Sequence, residues 1–406
     1  MKSDICSTSS KSRNAALSSS RAPGLRIGIV AGETSGDLLG AGLMRALIDG
    51  LGEDIEFEGI GGPEMQKLGC KSLFPMESVT LVGLDGLLRR LREILGIRKA
   101  LVNHFTARPP DLFIGVDLPD FNIGLEGKLR AKGIPTLQYV SPTVWAWRQY
   151  RIHKIKRSVS HMLVLFPFEQ DFYRQHGVPV SFAGHPVANE FPDIIDVEKY
   201  RTLFGIAGQQ RVVALLPGSR SGEISRLSAL MIDTAVLLKS RYPELVFLAP
   251  MVNESAKKLF QQALQQRPQG ADLIRLVDGQ SREVMSAADV VVLASGTATM
   301  EAALLKKPMV VTYKVSRLTA LYVNFLLKQK MVAMPNYLLG EKVVPEFLQD
   351  DATAENICGA VQDYLDQPRK MQSLKQRFME MHQSLKGQGE KVMVQAVQSL
   401  IGHGHA

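Results

Sequence analysis

The fold is most evident in the stretch Val290-Val-Val-Leu-Ala-Ser-Gly-Thr-Ala-Thr-Met-Glu301. Its first half is short, apolar and β-branched, which indicates a buried strand of a parallel sheet. Ser295, Gly296 and Thr297 then make a turn, and residues 298–306 have helical composition. Such a junction directs unpaired backbone N–H groups and the positive end of the helix dipole at one point. The stretch therefore predicts an α/β fold with a phosphate-binding turn.

Glu301 lies in the first turn of the predicted helix. A capping box would need Ser or Thr three residues earlier, and that position is Ala298. Glu301 is then free to accept hydrogen bonds from a diol, such as the ribose of a nucleotide. The alternative is an acid favoured there only by the helix dipole, and the spacing does not decide between the two.

The composition is that of an ordinary globular protein, with 45% hydrophobic and 22% charged residues among 406. At roughly 150 residues per domain, this length predicts two or three domains. No apolar run approaches the ~18 residues of a membrane span. Cys6, Cys70 and Cys358 are too widely spaced for a disulfide framework or a zinc site, which fits a reducing cytoplasm.

Half of the formal net charge of +8 lies at the N-terminus, where residues 1–26 hold five basic side chains and one acid. Residues 1–24 are Ser-rich and lack an apolar run long enough for a secretory signal. We expect a disordered tail there. A transit peptide is the alternative, because Ser and Arg are abundant and acids are scarce.

From Leu25 onward, apolar strands alternate with helical stretches, a pattern typical of a parallel sheet covered on both faces. The strands fall into two series separated by residues 184–192, whose two prolines suggest a hinge. The first series is 26–31, 55–60, 111–116, 135–140, 162–165 and 179–182, and the second is 211–216, 245–249, 272–276, 289–294 and 308–312. From Ala352 only helical patterns remain, at 353–366, 370–386 and 389–401.

This organisation predicts an α/β protein with two doubly wound, Rossmann-like domains at 25–190 and 191–365. Residues 366–406 are expected to form helices that pack back on the first domain. Doubly wound sheets bind ligands beyond the carboxyl ends of their strands. We therefore expect the two domains to face each other across a cleft.

Two loops of the first domain are candidate contacts for a substrate. In residues 31–37, Glu33, Ser35 and Gly36 follow a strand and let the backbone approach a ligand, although Thr34 and Asp37 also fit a capping box. The loop is neither a phosphate-binding P-loop nor a dinucleotide fingerprint. The second loop holds Trp145 and Trp147, which either pack a lid or contact a sugar ring or an acyl chain.

Asp117 follows another predicted strand, in Gly115-Val-Asp-Leu-Pro-Asp-Phe-Asn122. Pro119 is placed to open the next helix, and Asp120 can serve its first turn. Asp117 has no evident capping duty, so it is a candidate general base. Asp120 and Asn122 are further candidates for contact with a substrate.

The second domain supplies the predicted phosphate site. Gly218 and Ser219 expose the backbone after a strand, and Arg220 can clamp a phosphate with two hydrogen bonds. Asn336 is a loop amide without an evident partner. The histidines lack metal-ligand spacing, so we predict neither a metal site nor a cofactor.

A predicted amphipathic helix at 84–99 carries leucines at three- and four-residue steps beside several arginines. The stripe either faces the core or presses into a bilayer while the arginines meet anionic headgroups, and periodicity alone favours the core. The residues concerned are Leu84, Leu87, Leu88, Leu91, Ile94 and Leu95 with Arg89, Arg90 and Arg92.

Taken together, these motifs resemble the lipid-A-disaccharide synthase family. The resemblance rests on residues 31–37, 115–122, 139–148, 215–220 and 293–297, and it runs from about Leu25 to the C-terminal helices. It implies an inverting GT-B glycosyltransferase, which moves 2,3-diacylglucosamine from UDP to the 6-hydroxyl of 2,3-diacylglucosamine 1-phosphate. The products would be UDP and the β-1,6 disaccharide.

The resemblance also implies roles for single residues. Asp117 matches the family's proposed base and Arg220 its essential arginine, while Glu301 and Asn336 fall where UDP is held, beside Ser295–Thr297. The leucine stripe matches a membrane-facing patch, from which Asp85 departs as a charged residue. The expected location is the cytoplasmic face of the inner membrane, with anionic lipid as a partner. A homodimer is compatible with the sequence.

Two rival interpretations come from other classes of protein. A UDP-sugar 2-epimerase would share the fold and the nucleotide site but has no use for a leucine-rich surface helix. A nucleic-acid-binding protein would explain the basic residues at 148–157 but leaves Asp117 and Glu301 unexplained, so we predict no nucleic-acid partner.

Overall fold

The computed structural model describes residues 24–52, 54–80, 87–145, 148–208, 210–315 and 331–402, with the side chains of 87–90 excepted. The predicted N-terminal tail, apart from Gly24, therefore lies outside the described residues, as do Leu84, Asp85 and Trp147. The described chain folds into two parallel β-sheets flanked by helices, which confirms the predicted α/β class.

The first sheet is parallel throughout and has the strand order β3-β2-β1-β4-β5-β6-β7. Every residue of β4 is buried, as expected of a central strand covered by helices on both faces. The strands are Leu25–Val30 (β1), Ile55–Ile60 (β2), Lys71–Ser72 (β3), Leu112–Val116 (β4), Thr136–Tyr139 (β5), His161–Val164 (β6) and Val180–Phe182 (β7).

The second sheet is also parallel, with the order β10-β9-β8-β11-β12-β13. Its central strands β8 and β11 are buried at all positions, in keeping with their Val- and Leu-rich sequences. The strands are Val212–Leu216 (β8), Val246–Met251 (β9), Ile274–Asp278 (β10), Val290–Ala294 (β11), Met309–Tyr313 (β12) and Glu346–Leu348 (β13).

Helices connect the strands and cover both sheets. Their bounds are Thr34–Leu51 (α1), Pro63–Lys67 (α2), Leu87–Ala107 (α3), Pro119–Arg130 (α4), Ile152–Ser158 (α5), Pro167–Gln175 (α6), Pro186–Glu190 (α7), Val197–Leu203 (α8), Ser221–Arg241 (α9), Glu254–Gln265 (α10), Ser281–Ala287 (α11), Thr297–Leu304 (α12), Met334–Leu339 (α13), Ala354–Asp366 (α14), Pro368–Leu385 (α15) and Gly389–Gly402 (α16).

The strand order reverses once in each sheet, between β1 and β4 and between β8 and β11. At such a switch point the flanking connections run to opposite faces of the sheet and leave a crevice at the carboxyl ends of the strands. Residues 31–33 and Asp117 follow β1 and β4, with Ser35 and Gly36 in the first turn of α1. Residues 217–220 and 295–296 follow β8 and β11, with Thr297 opening α12. Most of the candidate site residues therefore belong to the two switch points.

Two strands were not predicted from the sequence. Both β3 and β13 lie at the edge of a sheet and have two and three residues. A run this short cannot display the alternation or the apolar stretch by which a strand is recognised. The other predicted strands agree with the structure to within a few residues at either end.

The segment that connects the two sheets contacts the C-terminal helices. The predicted hinge contains the short helix α7, and His185 N donates to Leu385 O over 3.0 Å. Helix α15 packs on α12 of the second half, whereas α16 crosses to the first half and packs on α1. The chain thus passes between the halves twice.

Candidate functional site

The switch point of the second sheet holds a cavity of about 440 Å³. It is lined by the loops after β8, β9, β10 and β11 together with the first turn of α12. Gly218 is needed in its wall, because its φ is +112° and a Cβ there would lie 2.5 Å from Glu223 Oε2. The sequence-predicted residues Gly218, Ser219, Arg220, Ser295, Gly296, Thr297 and Glu301 all line this cavity.

The N-terminus of α12 opens into the cavity. Gly296 occupies the N-cap position, and without a side chain it leaves the first N–H groups of the helix accessible. Ser295 Oγ donates to Val332 O over 2.9 Å, and Thr299 Oγ1 donates to Gly296 O over 2.7 Å. These bonds hold the turn in a shape that can receive a phosphate oxygen.

Glu301 is not as free as the sequence suggested. Its Oε1 accepts a hydrogen bond from Arg282 Nε over 3.0 Å, and Arg282 also pairs with Glu190 Oε2 at 3.0 Å. The arginine stacks over the Phe191 ring, with its guanidinium carbon 4.6 Å from the ring centroid. The expectation of an unpartnered acid is wrong, because Arg282 comes from a helix that spacing along α12 cannot reveal. The pairing orients Glu301 at the cavity wall.

Arg220 is the exposed cation of the cavity. It is the N-cap residue of α9, and its Nη1 donates to Glu223 Oε1 over 2.9 Å. Glu223 is buried and also receives the backbone N–H of Ser219. One end of the guanidinium is therefore paired, while the side chain remains 82% exposed to solvent in the cavity wall.

Asn336 does not match its prediction. It lies in α13 and is fully buried, and its Nδ2 donates to Val344 O and to Glu346 Oε1. Its Oδ1 accepts the N–H groups of Val343 and Val344. The side chain is therefore occupied in joining α13 to the segment before β13, so the prediction of a free amide for UDP is wrong.

At the switch point of the first sheet, Asp117 stands just beyond β4 in a left-handed backbone conformation. Its φ is +50° and that of Leu118 is +46°, both unusual for residues with a Cβ. Burial raises the pKa of the Asp117 carboxyl, partly offset by a hydrogen bond from the Leu118 backbone. A half-buried carboxylate with a raised pKa is a better proton acceptor than an exposed one.

The two neighbours of Asp117 that were predicted to contact a substrate behave differently. Asp120 is exposed in the first turn of α4 and pairs with Arg151, and Pro119 opens that helix as predicted. Asn122 is fully buried, and its Nδ2 donates to the carbonyl oxygens of Val30, Val116 and Asp117. Asn122 thus joins the backbone at the ends of β1 and β4 from inside the fold. The prediction that it contacts a substrate directly is wrong.

The loop after β1 lies beside Asp117. Leu118 packs directly over Gly32, where a Cβ would overlap the leucine side chain. Glu33 is the exposed N-cap of α1, Ser35 is exposed, and Gly36 is buried against the loop of Asp117. The structure therefore brings the two sequence-predicted loops together.

The capping box predicted from Thr34 and Asp37 is wrong. Asp37 is buried, and its oxygens accept the N–H groups of Glu64 and Met65 at 2.9 and 3.0 Å. The carboxylate thus caps α2, the neighbouring helix, rather than its own. Glu33 and Ser35 remain exposed at the start of α1.

Trp145 joins the two halves of the molecule. Its ring meets Tyr337 of α13 edge to face, with centroids 5.1 Å apart, and also contacts Phe168. Its Nε1 donates to Glu169 Oε1 over 3.1 Å, and burial raises the pKa of that carboxyl to about 7. This contact places the loop after β5 against the half of the molecule that contains the second sheet.

The predicted membrane helix α3 has two distinct sides. Leu91 and Leu95 are 44% and 49% exposed and follow one another by one turn, and Arg92 is exposed beside them. Ile94 is only 5% exposed and packs with Leu101 in the core, so its assignment to the membrane face is wrong. Leu84 and the side chains of Leu87, Leu88, Arg89 and Arg90 lie outside the described residues.

Across the described ranges, no helix is both long and apolar enough to cross a bilayer. Within those same ranges, no three His, Cys, Asp or Glu side chains converge as ligands of a metal ion would.

Comparison with known proteins identifies the family. The sequence model of lipid-A-disaccharide synthetase matches residues 27–398. A lipid-A-disaccharide synthase of Cellvibrio japonicus is 48% identical over 378 residues, which are 93% of this chain and 97% of that protein. The chain belongs to the lipid-A-disaccharide synthetase family. Membership confirms the resemblance seen in the sequence and implies a UDP-sugar and a lipid acceptor as substrates.

Solved structures agree on the fold. A Listeria monocytogenes protein described as a putative UDP-N-acetylglucosamine 2-epimerase superposes with a TM-score of 0.60 at 11% identity, covering 94% of this chain and 96% of its own. Acinetobacter baumannii MurG superposes with a TM-score of 0.55 at 13% identity, covering 92% and 99%. These likenesses confirm the GT-B architecture.

Several residues of the site were not found from the sequence. Arg282, Glu169 and Tyr337 each act through a partner on a different element of the fold, and Gln138 is a buried residue of β5. The one available signal was Gln138 itself, a long polar side chain in the predicted strand 135–140.

Proposed function

We propose that this chain transfers 2,3-diacylglucosamine from UDP to the 6-hydroxyl of 2,3-diacylglucosamine 1-phosphate with inversion. The products are UDP and the β-1,6-linked lipid A disaccharide 1-phosphate. The observation that carries the proposal is the family match over residues 27–398, which spans both switch points. Mass spectrometry and NMR of the product test it. A β-1,6 linkage is expected, and an α linkage or epimerised donor would count against it.

The donor nucleotide fits the cavity at the second switch point. The diphosphate would lie against the N–H groups that open α12 and the loop of Gly218–Arg220. This arrangement offers fixed dipoles and one exposed cation to a group that carries negative charge. Glu301 lines the same cavity, oriented by Arg282, and would accept hydrogen bonds from the ribose hydroxyls.

Asp117 is proposed as the base. Inversion in a single displacement requires that the acceptor hydroxyl lose its proton as the anomeric bond breaks, so a base must lie on the acceptor side. Asp117 stands at the carboxyl end of β4 with a pKa raised by burial, and its left-handed conformation turns it away from the strand. Its ionised form takes the proton of the 6-hydroxyl.

Charge on the departing diphosphate must be stabilised as the bond breaks. Arg220 and the first N–H groups of α12 are held before the reaction begins, Arg220 by Glu223 and the turn by Ser295 and Thr299. Donors that are fixed in advance need no reorganisation during the reaction, which is why they lower the barrier.

Closure of the cleft is assigned to the aromatic pair Trp145 and Tyr337. The pair joins the loop after β5, the strand beside β4, to α13 of the second half. A contact between the halves shields the reacting groups from water, which strengthens the electrostatic interactions between them.

Replacing Glu301 with Ala is expected to weaken UDP binding by about 10- to 100-fold, because each lost charged hydrogen bond contributes roughly 1.5–3 kcal/mol. Calorimetry with UDP measures the change, and affinity for the acceptor lipid alone should stay the same. Glu190→Gln is the matched control, because it breaks the other ion pair of Arg282 outside the cavity. Unchanged UDP affinity in Glu301→Ala would remove the ribose role.

The exposed side of α3 is proposed to meet the membrane. Leu91 and Leu95 present apolar surface beside Arg92, which suits a helix lying in the interface of an anionic bilayer. Substrates that carry acyl chains reside in the membrane, so the enzyme is proposed to act at the cytoplasmic face of the inner membrane.

Replacing Leu91 and Leu95 together with Ser is expected to leave the melting temperature nearly unchanged and to reduce binding to anionic vesicles. Arg92→Gln should reduce the same binding by about 1 kcal/mol, most clearly at low salt. Ile94→Ala is the matched control: it should destabilise the fold by about 2–5 kcal/mol, because that side chain is buried. Vesicle sedimentation and thermal melting measure the two effects. Early melting with normal vesicle binding in the Leu91/Leu95 variant would assign that side of α3 to the core.

A further inference from the structure

A cluster of buried polar side chains lies directly behind Asp117. Gln138 of β5 is the register partner of Gly115 in β4, and both Asn122 and Glu126 project from α4 one turn apart. All three side chains are 0% exposed. Because Gly115 has no side chain, the space above it is occupied by these three.

The two amide groups are oriented by backbone carbonyls. Gln138 Nε2 donates to the carbonyl oxygens of Asp117, Tyr139 and Val140 at 2.9, 3.3 and 3.1 Å. Asn122 Nδ2 likewise has carbonyl oxygens as partners, and its shortest bond is to Asp117 O at 2.9 Å. Turning either amide around would place oxygen against oxygen. Both nitrogens therefore face Asp117, and both amide oxygens face away from it.

The oxygens on the far side lack donors. Among the described residues, Gln138 Oε1, Asn122 Oδ1 and both carboxyl oxygens of Glu126 are buried and accept no hydrogen bond. Two of these oxygens converge on one point, since a Cβ on Gly115 would overlap Glu126 Oε1 and lie 2.7 Å from Gln138 Oε1. The same Cβ would lie 2.9 Å from Asn122 Cβ.

An ionised carboxylate at this point would be strongly unfavourable. It would be dehydrated and would face amide oxygens, which carry partial negative charge. Protonation lowers this free-energy cost, because a carboxylic acid is uncharged and is itself a hydrogen-bond donor. Burial accordingly raises the pKa of the Glu126 carboxyl well above its usual value.

We propose that Glu126 is a neutral carboxylic acid that donates its proton to Gln138 Oε1 and thereby positions Asp117. With its oxygen held, Gln138 keeps its Nε2 on the Asp117 carbonyl, beside the bond from Asn122. These two bonds secure the left-handed backbone at Asp117 and so the direction of its carboxyl. Glu126 is a positioning residue, and its effect on turnover rests on the proposed role of Asp117.

Infrared spectroscopy tests the protonation directly. Wild-type protein with ¹³C-labelled glutamate, measured at neutral pH, should show a protonated-carboxyl band that is absent from Glu126→Gln. The band of Glu169, whose pKa burial raises to about 7, is common to both proteins and cancels in their difference spectrum. A difference spectrum that instead contains a carboxylate band would overturn the proposal. This readout needs no enzymatic activity. If the band is present but no disaccharide is formed, the proposed function fails and the protonation stands.

Turnover of two variants tests the positioning. Glu126→Gln retains a neutral group with a donor, so its kcat should stay within about threefold of wild type. Glu126→Leu removes the donor, and kcat should fall about 100-fold with little change in KM, the loss typical of a misplaced reacting group. Equal losses of kcat in both variants would overturn the donor role. If Glu126→Leu does not fold, the infrared band and the kcat of Glu126→Gln decide the matter.

Discussion

Asp117→Asn is expected to reduce turnover by about 10²–10⁴-fold, the loss typical of removing a general base. The amide keeps the shape of the side chain but accepts a proton far less readily than the carboxylate. UDP binding should be nearly unchanged, because the nucleotide cavity belongs to the other half of the chain. Steady-state kinetics with both lipid substrates and calorimetry with UDP measure the two quantities.

The pH profile gives an independent readout of the same role. Burial raises the pKa of Asp117, and the base acts only in its ionised form. Activity should therefore fall as the pH drops through this raised pKa, and the acidic limb should disappear in the residual activity of Asp117→Asn. Asp120→Asn is the matched control, since that carboxyl is exposed and paired with Arg151. Near-normal turnover in Asp117→Asn together with a large loss in Asp120→Asn would transfer the role to Asp120.

Arg220→Ala is expected to lower kcat by about 10²–10³-fold, the loss typical of removing one fixed donor to a developing negative charge. KM for the donor should change less, because charge on the diphosphate grows toward the transition state. Arg220→Lys should restore part of the rate, since it keeps the charge but not the paired hydrogen bonds. Single-turnover kinetics separate the chemical step from binding.

Arg226→Ala supplies the control for Arg220. It removes an arginine from the same helix whose Nη1 bonds to Gly222 O, outside the lining of the cavity. Its kcat should remain close to wild type. A loss of UDP affinity in Arg220→Ala with an unchanged chemical step would show that Arg220 only binds the donor.

The switch-point loops could be predicted because they depend on neighbours in the sequence. The run Val290–Ala294 is apolar and β-branched, and the turn after it is made of small residues, so strand, turn and helix follow locally. Pro119 opened α4 for the same reason. Apolar alternation along the chain likewise indicated two parallel sheets, and their switch points brought the candidate loops together.

What the sequence could not show are the partners that side chains acquire across the fold. Glu301 looked free because Arg282 comes from α11, and Asn336 looked free because Glu346 comes from β13. Asp37 fitted a capping box of its own helix, yet it caps α2. Ile94 shares a helix with two exposed leucines, and only packing against the first sheet distinguishes its side of α3. The errors on Glu301, Asn336 and Asp37 each concern a contact with a residue outside the side chain's own helix.

Glycosyl transfer is distinguished from the rival activities by UDP release from UDP-2,3-diacylglucosamine, measured with and without the acceptor 2,3-diacylglucosamine 1-phosphate. We expect rapid release only when the acceptor is present, with one disaccharide formed for each UDP. Release at the same rate without the acceptor, or conversion of the donor sugar to its 2-epimer, would contradict it.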